Sequence, residues 1–308
     1  MKKTLLALAF AAASLGANAQ TGLPGQYQSN LNVYGSVRLY MESVKTGNGP
    51  AQPRQQDDVS RIGFRGWEDL GGGLKANYWV ETAFTADANT PTALGSNLSI
   101  VGLSNQHGSV DLGRGYNNVF NLLFNHDPYG PNIGTNMGKV HELRGVRINN
   151  GVFTKYNVNK NITVKYSQGV NETNVNGDIK DYAVDAVFGP VTASLAHVND
   201  GAGSKTTIGG FNYRLLDTTT VFTSASDNKN ANGTSSNGKS IGVRHYVAPK
   251  VRTLAQYGEN ENIKTASGGV TYEFSKRTFA HVRYAKDTAR TNLAVDREAV
   301  SVGLQHNF

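Results

Sequence analysis

The chain contains no cysteine in its 308 residues. This absence excludes a disulfide framework and any thiolate metal site, so stability has to come from hydrogen bonding and packing. After the apolar stretch Leu5–Leu15, no apolar run is long enough to cross a bilayer as a helix. If the protein resides in a membrane, it must therefore cross it with strands, because only helices and closed barrels satisfy the backbone there.

Signals of catalysis are also scarce. The carboxylate pairs Asp57-Asp58 and Glu68-Asp69 fall in a loop and at a turn, and strands flank Gly71–Gly73 with no Gly-Lys-Ser/Thr after it. No serine lies in a nucleophile elbow. The histidines stand singly, without the spacing of a metal pair: His107, His126, His141, His197, His245, His281 and His306. We expect no enzymatic activity, no metal and no cofactor, with a hydrolase site at a barrel rim as the remaining enzymatic alternative.

Acidic residues are outnumbered, since 30 Lys and Arg stand against 23 Asp and Glu, for a net charge of +7. The basic residues are spread along the chain and not gathered in one tract, so we expect no nucleic-acid partner. Anionic lipid and small anions are the other partners that a basic balance allows.

The N-terminus carries the features of a secretory signal. Lys2 and Lys3 form a basic start, Leu5–Leu15 is apolar, and Ala17-Asn18-Ala19 is a small-residue cleavage site. We predict cleavage after Ala19, so that residues 1–19 are a signal peptide and residues 20–308 form one exported domain. An N-terminal membrane anchor is the alternative, although the apolar stretch is too short to span a bilayer.

In the rest of the sequence, apolar residues repeatedly alternate with small or polar ones. Near the end of the chain, Val300, Val302 and Leu304 alternate with small or polar residues, and the last residue is Phe308. The segment Leu31–Glu42 likewise has one apolar and one polar face. A strand with one face for hydrocarbon and one for water is typical of a membrane barrel, although a soluble sandwich also contains amphipathic strands.

Such segments recur with no composition break that would mark a second domain. Short turns such as Gly189-Pro190 alternate with long connections such as Ser43–Val59 and Asp227–Gly238. This pattern predicts an all-β fold, a closed antiparallel transmembrane β-barrel of about 16 strands; two stacked soluble sandwiches are the alternative. The predicted strands are Leu31–Glu42, Ser60–Glu68, Leu74–Phe84, Asn97–Leu103, Ser109–Arg114, Arg147–Tyr156, Ile162–Ser167, Asp181–Phe188, Val191–His197, Lys205–Tyr213, Thr218–Ser226, Lys239–Val247, Val251–Tyr257, Ala266–Phe274, Thr278–Lys286 and Arg297–Phe308.

Aromatic residues fall near the ends of these strands on the apolar face, where rings would lie at the lipid headgroups. The set is Tyr156, Tyr166, Tyr257, Tyr272, Phe274, Tyr284 and Phe308.

The segment Ser60–Ala76 (SRIGFRGWEDLGGGLKA) resembles the second hairpin of the general porins of beta-proteobacteria. Val101-Gly102-Leu103, Asp111–Arg114 (DLGR), Asp127–Gly130 (DPYG) and Val302–Phe308 (VGLQHNF) match the same family in the same order. The resemblance runs over nearly the whole mature chain and is clearest in the first half and in the last strand.

The resemblance implies a sixteen-stranded homotrimeric channel in the outer membrane of a Gram-negative bacterium, surrounded by its lipid. It also implies that the third extracellular loop folds into the lumen and narrows it. Here that loop would be Gly115–Gly145, with Asn118–Phe124 as a short helix whose apolar residues pack on the inner wall; a mobile external loop is the alternative. The C-terminal strand ending in Phe308 would be the assembly signal for the barrel-assembly machinery.

Alternation places more basic than acidic side chains on the water-facing side of the wall, and a positive lumen with low-dielectric walls enriches small anions. We expect the constriction to be lined by Arg38, Arg61, Arg65 and Arg147 of the wall and by Asp127 and Glu142 of the loop. Further lumen charges are expected at Lys75, Lys155, Lys165, Arg244, Arg252 and Arg283. Arg114 stays ambiguous, because alternation directs it to lipid unless the chain bends at a neighbouring glycine.

These features predict a porin, a water-filled channel for passive diffusion of small hydrophilic solutes and ions with a preference for anions. The alternatives are a channel specific for one solute, such as a dicarboxylate or phosphate, and a barrel that acts mainly as an adhesin or surface antigen through its loops.

Overall fold

The computed structural model describes residues 29–130, 137–170, 178–292 and 294–308. The predicted signal peptide lies outside these residues, and its removal stays a prediction. The strands are β1 (Ser29–Thr46), β2 (Gln52–Asp57), β3 (Ser60–Gly71), β4 (Leu74–Phe84), β5 (Leu98–Asn105), β6 (Gly108–Tyr116), β7 (Arg147–Asn157), β8 (Ile162–Gly169), β9 (Ile179–Phe188), β10 (Val191–Asn199), β11 (Lys205–Leu216), β12 (Thr219–Lys229), β13 (Ser235–Ala248), β14 (Val251–Glu259), β15 (Ile263–Glu273), β16 (Thr278–Ala289) and β17 (Arg297–Asn307). Two short helices, α1 (Asn118–Asn125) and α2 (Met137–Val140), lie between β6 and β7. No helix in the described part of the chain is long and apolar enough to cross a bilayer.

The strands form one antiparallel sheet that closes on itself. β1 pairs with β3 along one edge and with β17 along the other. The seam between β1 and β17 runs from Ser36 opposite Asn307 to Thr46 opposite Arg297. Beyond it, the backbone N–H of Gly35 donates to the carbonyl of Phe308 and the N–H of Phe308 donates to that of Gly35, each over 3.1 Å. The predicted closed antiparallel barrel of 16 crossing strands is confirmed, with β2 as an additional strand.

The segment Ser43–Val59 is not the long loop that the sequence predicts. β1 continues to Thr46, and β2 pairs back onto it, from Val44 opposite Gln52 to Leu39 opposite Asp57. The ladder breaks at Val59, which has a φ of 57°, and resumes with β3. β2 is polar on both faces, so it lacks the alternation by which the other strands are recognised.

The connection Asp227–Gly238 is also mostly strand. β12 runs to Lys229 and β13 begins at Ser235, joined by a tight turn in which the N–H of Asn230 donates to the carbonyl of Thr234 over 2.8 Å. The prediction of strictly alternating short and long connections is therefore wrong for this part of the barrel. Strand ends that reach into water carry polar residues on both faces, and their length cannot be recognised from hydrophobicity.

Side chains along the strands alternate between two environments. On β1, Val37 and Met41 are exposed, whereas Ser36, Tyr40 and Glu42 on the other face are buried. The same division recurs around the barrel, with large apolar side chains on the outer face and mostly polar or charged side chains on the inner face. The outer face of a membrane barrel contacts hydrocarbon, so the direction of the two predicted faces is confirmed.

Aromatic side chains lie on the outer face towards both rims. The exposed members of the predicted set are Tyr156, Tyr257, Tyr272, Phe274, Tyr284 and Phe308. Tyr166 is half-buried, because its ring packs against that of Tyr182 with centroids 5.1 Å apart. Rings at both ends of the apolar band are typical of barrels anchored at the two headgroup layers.

The apolar core of the described residues lies inside the barrel, where the β6–β7 connection contacts the wall. Its members are Val119, Leu122, Leu123, Met137 and Val140 of the connection and Ala183, Ala196, Val198, Ile208 and Ile263 of the wall. The inner face is thus apolar on one side only. Burial of this surface holds the connection, which we call the inner loop (described residues 117–130 and 137–146), against β9 to β15.

Candidate functional site

Helix α1 begins the inner loop and occupies the segment for which the sequence predicts a helix. The side chain of Asn117 caps it by accepting a hydrogen bond from the N–H of Phe120 over 2.7 Å. Val119, Leu122 and Leu123 share one face and are buried against the wall. The side-chain carboxyl of Asp181 on β9 accepts from the N–H of Asn118 over 2.5 Å, which supplies a partner for one of the free N–H groups at the start of the helix.

Glycines on the inner face leave room for the inner loop. A Cβ on Gly210 would lie 2.5 Å from Cγ of His126, and one on Gly242 would lie 2.6 Å from Cγ of Pro128. Both separations are far below ordinary van der Waals contact, so no larger residue fits without moving the loop. The loop therefore docks at positions where the wall has no side chain.

Two buried histidines hold the inner loop to hydroxyl and amide groups of the wall. His126 Nδ1 lies 2.8 Å from Asn212 Oδ1, and its Nε2 lies 3.0 Å from Ser194 Oγ. His141 Nδ1 lies 2.9 Å from Ser226 Oγ, and its Nε2 is also within hydrogen-bond distance of two wall serines. Burial lowers the pKa of His126 and lowers that of His141 to about 4. Both imidazole rings are therefore neutral near pH 7, and their hydrogen bonds hold the inner loop against the wall.

The segment after α1 reaches basic side chains of the wall. Nε and Nη2 of Arg244 donate to the carbonyl of Pro128 over 3.1 and 2.7 Å. The guanidinium of Arg283 lies 5.3 Å from the ring centroid of Tyr129. Asp127 is buried between them and accepts from the N–H of Tyr129 over 2.8 Å. Burial raises the pKa of Asp127 to about 7, although the charges of Arg244 and Arg283 oppose the rise.

Five inward-facing arginines form an arc of electrostatically coupled side chains along the wall. Arg252 interacts electrostatically with Arg244 on one side and with Arg283 on the other. Arg283 in turn acts on Arg38, and Arg38 acts on Arg61. We call this row, carried by β13, β14, β16, β1 and β3, the arginine arc. Arg38 and Arg61 are predicted from the sequence to line the constriction. The other three members of the arc are predicted to lie elsewhere in the lumen.

Three of the four wall arginines ranked for the constriction are linked through Glu81. Arg61 forms an ion pair with Glu81 at 3.6 Å. Asn97 donates to Glu81 over 2.9 Å and accepts from Arg147, so that Glu81 links these two arginines. Arg65 is held nearby, because its guanidinium lies 5.0 Å from the ring of Tyr34, whose hydroxyl donates to the same glutamate over 2.7 Å.

The two loop acids are separate from this network. Asp127 lies beside Arg244 and Arg283, as described above, and Glu142 pairs with Arg144 at 2.8 Å and with the hydroxyl of Ser236. The arginines that contact the inner loop are thus ones that the sequence assigns to the wider lumen.

The remaining charges predicted for the lumen differ in their partners. Lys165 forms an ion pair with Asp185 at 2.5 Å, and Arg252 forms one with Glu273 at 3.8 Å. Lys75 lies 4.1 Å from the ring centroid of Trp67. Lys155 is exposed on the inner face and acts electrostatically on Asp111.

Arg114, ambiguous in sequence, lies opposite Ser99 at the end of β6, on the face of Val101. The ladder to β7 shifts register between Gly113 and Gly115, so the irregularity lies at Arg114 itself. Its pairing with Ser99 on β5 keeps it on the outer face. Its Nε donates to the carbonyl of Ser96 over 2.9 Å.

Two cavities lined by described residues lie within the barrel. One, of about 670 Å³, is lined by Pro128, Tyr129, Arg214, Arg244, Arg252 and Arg283 and reaches the short turn at Gly189. The other, of about 540 Å³, is lined by Gln56, Asn97 and Arg147 and reaches the β4–β5 connection at Asp87. They open towards opposite rims, so basic side chains line the interior at both ends.

Sequence reasoning missed the residues that anchor the inner loop. Asp181, His126, His141 and Asn260 hold it, the last through hydrogen bonds of 3.0 Å from its side-chain amide to the carbonyls of Lys139 and Val140. The available signal was the run of glycine, serine and alanine at inward positions of β10 to β14, where other strands carry charges.

Comparison with known proteins agrees with this architecture. A family model described as Gram-negative porin matches residues 4–292. Outer membrane porin protein 32 of Delftia acidovorans is 31% identical over 229 residues, which cover 68% of this chain and 62% of that protein. Major outer membrane protein P.IB of Neisseria gonorrhoeae is 38% identical over 116 residues, 37% of this chain and 32% of that protein. The chain thus spans less than two thirds of either relative.

Solved structures share the fold. The structure described as an anion-selective porin from Comamonas acidovorans has a TM-score of 0.82 at 21% identity and covers 91% of this chain and 100% of its own. A trimer form of OmpT from Vibrio cholerae has a TM-score of 0.70 at 16% identity, with 91% and 99% covered. The family match across residues 4–292, on a barrel of the same topology, makes this chain a member of the Gram-negative porin family and a protein of the outer membrane.

Proposed function

We propose that the protein forms a water-filled channel through which small hydrophilic solutes and ions diffuse passively, with a preference for anions. The observation that carries this proposal is the arginine arc, which runs from the inner loop at Arg244 to the ion pair at Arg61. The inner loop packs against strands between β9 and β15, whereas Arg38 and Arg61 lie on β1 and β3, outside that contact. We infer that the bore lies beside this part of the arc, where a permeating ion passes close to guanidinium groups.

The physical basis of selectivity is the field of the arc. Charges lining a narrow passage with low-dielectric walls act on an ion more strongly than they would in open water. Acids near the arc, such as Glu81 and Glu273, are already paired with arginines. The excess positive charge raises the local concentration of anions and lowers that of cations.

The proposal also covers the oligomeric state, the route of insertion and the absence of catalysis. We propose a homotrimer, which the trimer form of a structural relative supports, and insertion by the barrel-assembly machinery through the strand that ends in Phe308. Proteins of this family are channels, and we propose no covalent chemistry and no cofactor. An adhesin role is disfavoured by the short connections 200–204, 230–234 and 260–262, which offer little external surface.

Conductance in planar bilayers tests the proposal. The double variant Arg38→Ser/Arg61→Ser should lower the anion-to-cation permeability ratio, measured as the reversal potential in a salt gradient. Lys205→Ser/Lys239→Ser removes the same charge from the outer face and should leave that potential unchanged. Unchanged selectivity in the arginine variant would contradict the placement of Arg38 and Arg61 beside the bore, and absence of stepwise conductance would contradict the channel itself.

A channel specific for one anionic solute is a second candidate, which the cavity of about 670 Å³ favours. Arg214, Arg252 and Arg283 line it together with Phe222, a mixture that suits a carboxylate or phosphate group on a small carbon skeleton. Current that saturates with a dicarboxylate, but not with chloride, would support this candidate over general diffusion.

A further inference from the structure

Helix α1 turns two phenylalanines away from the wall. Its apolar residues Val119, Leu122 and Leu123 lie on the side that packs against the strands. At about 3.6 residues per turn, Phe120 and Phe124 lie on the opposite side of the helix. Phe124 is 44% exposed, Phe120 is half-buried, and neither belongs to the apolar core. Both rings therefore present an apolar surface to solutes inside the barrel.

The two rings continue a row of aromatic side chains. Tyr116, the last residue of β6, stacks on Phe120 with ring centroids 4.7 Å apart and an interplanar angle of 28°. Phe120 meets Phe124 edge to face at 6.3 Å. We call the row of Tyr116, Phe120 and Phe124 the phenyl ladder. Its spacings are those at which aromatic rings attract one another, so a planar solute ring in contact with one member is within reach of the next.

An arginine lies at each end of the phenyl ladder. The guanidinium of Arg147 lies 5.1 Å from the ring centroid of Tyr116, and Arg147 lines the cavity of about 540 Å³. At the other end, Phe124 and Arg214 both line the cavity of about 670 Å³. The ladder thus joins the two cavities, which open towards opposite rims.

Neither of these arginines is neutralised by an acid of the protein. Among the described residues, no carboxylate lies within 4.0 Å of the guanidinium of Arg147 or of Arg214. The planar guanidinium group matches the geometry of a carboxylate, which it binds through two parallel hydrogen bonds. A solute carboxylate can therefore pair with either arginine.

We propose that the channel conducts aromatic carboxylates, such as benzoate, in preference to other organic anions of the same size and charge. This inference rests on the proposed channel function and names the class of solute that the lumen favours. The carboxylate of the solute pairs with Arg147 at one end and with Arg214 at the other, and its ring lies against the phenyl ladder between them. Several weak contacts in a row suit permeation, because a solute has to leave each site as readily as it enters.

The ladder distinguishes aromatic carboxylates from other anions by their shape and their π-electrons. A saturated ring of the same size carries the same carboxylate but is thicker and has no π-face for stacking. Inorganic phosphate and short dicarboxylates interact with the arginines and gain nothing from the phenyl rings. The preference is thus a property of α1, separate from the general preference for anions.

Reversal potentials in planar bilayers test this proposal, with chloride on one side, the test anion on the other and the same cation throughout. The test anions are benzoate and cyclohexanecarboxylate, at about pH 8, where both are ionised. The variant Phe120→Leu/Phe124→Leu removes the two π-faces and keeps apolar, helix-forming side chains. A matched control, Phe64→Leu/Phe211→Leu, makes the same change at two exposed positions of the outer face.

We expect benzoate to be at least about threefold more permeant than cyclohexanecarboxylate in the parent chain and in the control, and equally permeant in the ladder variant. A ratio near one in the parent, a ratio retained in the ladder variant, or an equal loss in the control would overturn the proposal. Permeability of glucuronate equal to that of benzoate would also overturn it, in favour of a path for any ring-shaped anion.

Chloride current separates this inference from the channel proposal. Stepwise chloride conductance in the parent, with equal permeability of benzoate and cyclohexanecarboxylate, would refute the phenyl ladder alone. Absence of chloride conductance would refute the channel. If the double variant does not fold, Phe124→Leu provides the same comparison with one exposed ring changed, and its permeability ratio should lie below that of the parent.

Discussion

Substitution of Gly210 by alanine tests whether the inner loop is held by close contact with the wall. The new methyl group would lie 2.5 Å from Cγ and 2.6 Å from Cδ2 of His126. Ordinary carbon contacts are about 3.5 to 4 Å, so the ring has to retreat by about 1 Å. The neighbouring Gly209 faces outward, where an added Cβ would meet nothing nearer than 3.9 Å. Gly209→Ala is therefore a matched control with the same change of residue and the same change in backbone freedom.

The expected magnitude follows from the contacts that the retreat breaks. His126 lies 2.8 Å from Asn212 and 3.0 Å from Ser194, and a shift of about 1 Å takes both contacts beyond hydrogen-bonding range. Each such bond contributes about 1 kcal/mol, and overpacking of a filled site costs about 1–3 kcal/mol. We expect the local stability of the docked loop to fall by a similar amount.

Hydrogen–deuterium exchange read by mass spectrometry measures this loss. Amides at the C-terminal end of α1, such as that of the capping residue His126, which donates to the carbonyl of Leu122 over 3.0 Å, exchange through local opening. Their exchange should accelerate about fivefold to a hundredfold in Gly210→Ala and stay unchanged in Gly209→Ala, because about 1.4 kcal/mol corresponds to a factor of ten. Strand amides provide the internal reference. Equal exchange rates of α1 in the two variants would refute the reasoning.

Three further predictions concern charge and pH. As pH rises through about 7, Asp127 ionises beside Arg244 and Arg283, so the anion preference, measured as the reversal potential in a salt gradient, should fall. Asp127→Asn should abolish this pH-dependent change in the reversal potential. A change that persists in the variant would contradict its assignment to Asp127. His141 has a folded pKa of about 4, below its usual value, so its contribution to stability is complete above about pH 6.5 and is lost as pH falls. The loss should approach about 3 kcal/mol at pH 4 and should be absent in His141→Gln, as measured by the thermal midpoint. Asp181→Ala leaves a buried N–H at the start of α1 without its acceptor and should cost about 1–3 kcal/mol, seen as faster amide exchange confined to that helix.

The wall and the helix could be predicted from sequence because their signals are local. Alternation with period two identifies strands such as β4, whose bounds Leu74–Phe84 agree in sequence and structure. The spacing of Val119, Leu122 and Leu123 likewise predicts α1 within one residue of its end. These patterns depend on neighbours a few positions away, and they also give the inward direction of Arg38 and Arg61.

The contacts that hold the inner loop to the wall could not be predicted, because they join residues that are far apart in the sequence. His126 meets Ser194, 68 positions away, and Tyr129 meets Leu254, 125 positions away. A periodic residue pattern within one segment carries no information about such long-range pairs. The only sign of these contacts in the sequence is that residues such as Gly210 are small. An alternation pattern separates apolar from non-apolar residues and takes no account of their size. The strand β2 was missed for a related reason, since both of its faces are polar.

The seam between β1 and β17 has a consequence for how the cylinder comes together. Most neighbouring pairs can form a hairpin from a turn close in sequence, as β9 and β10 do at Gly189-Pro190, but this ladder joins Ser36 to Asn307 and has no connecting turn of its own. The topology therefore has no privileged starting strand. A circular permutant that links the end of β17 to the start of β1 and is cut at the tight Gly189-Pro190 turn should fold into the same ring, with the former seam as an ordinary hairpin and a new closing ladder between β9 and β10.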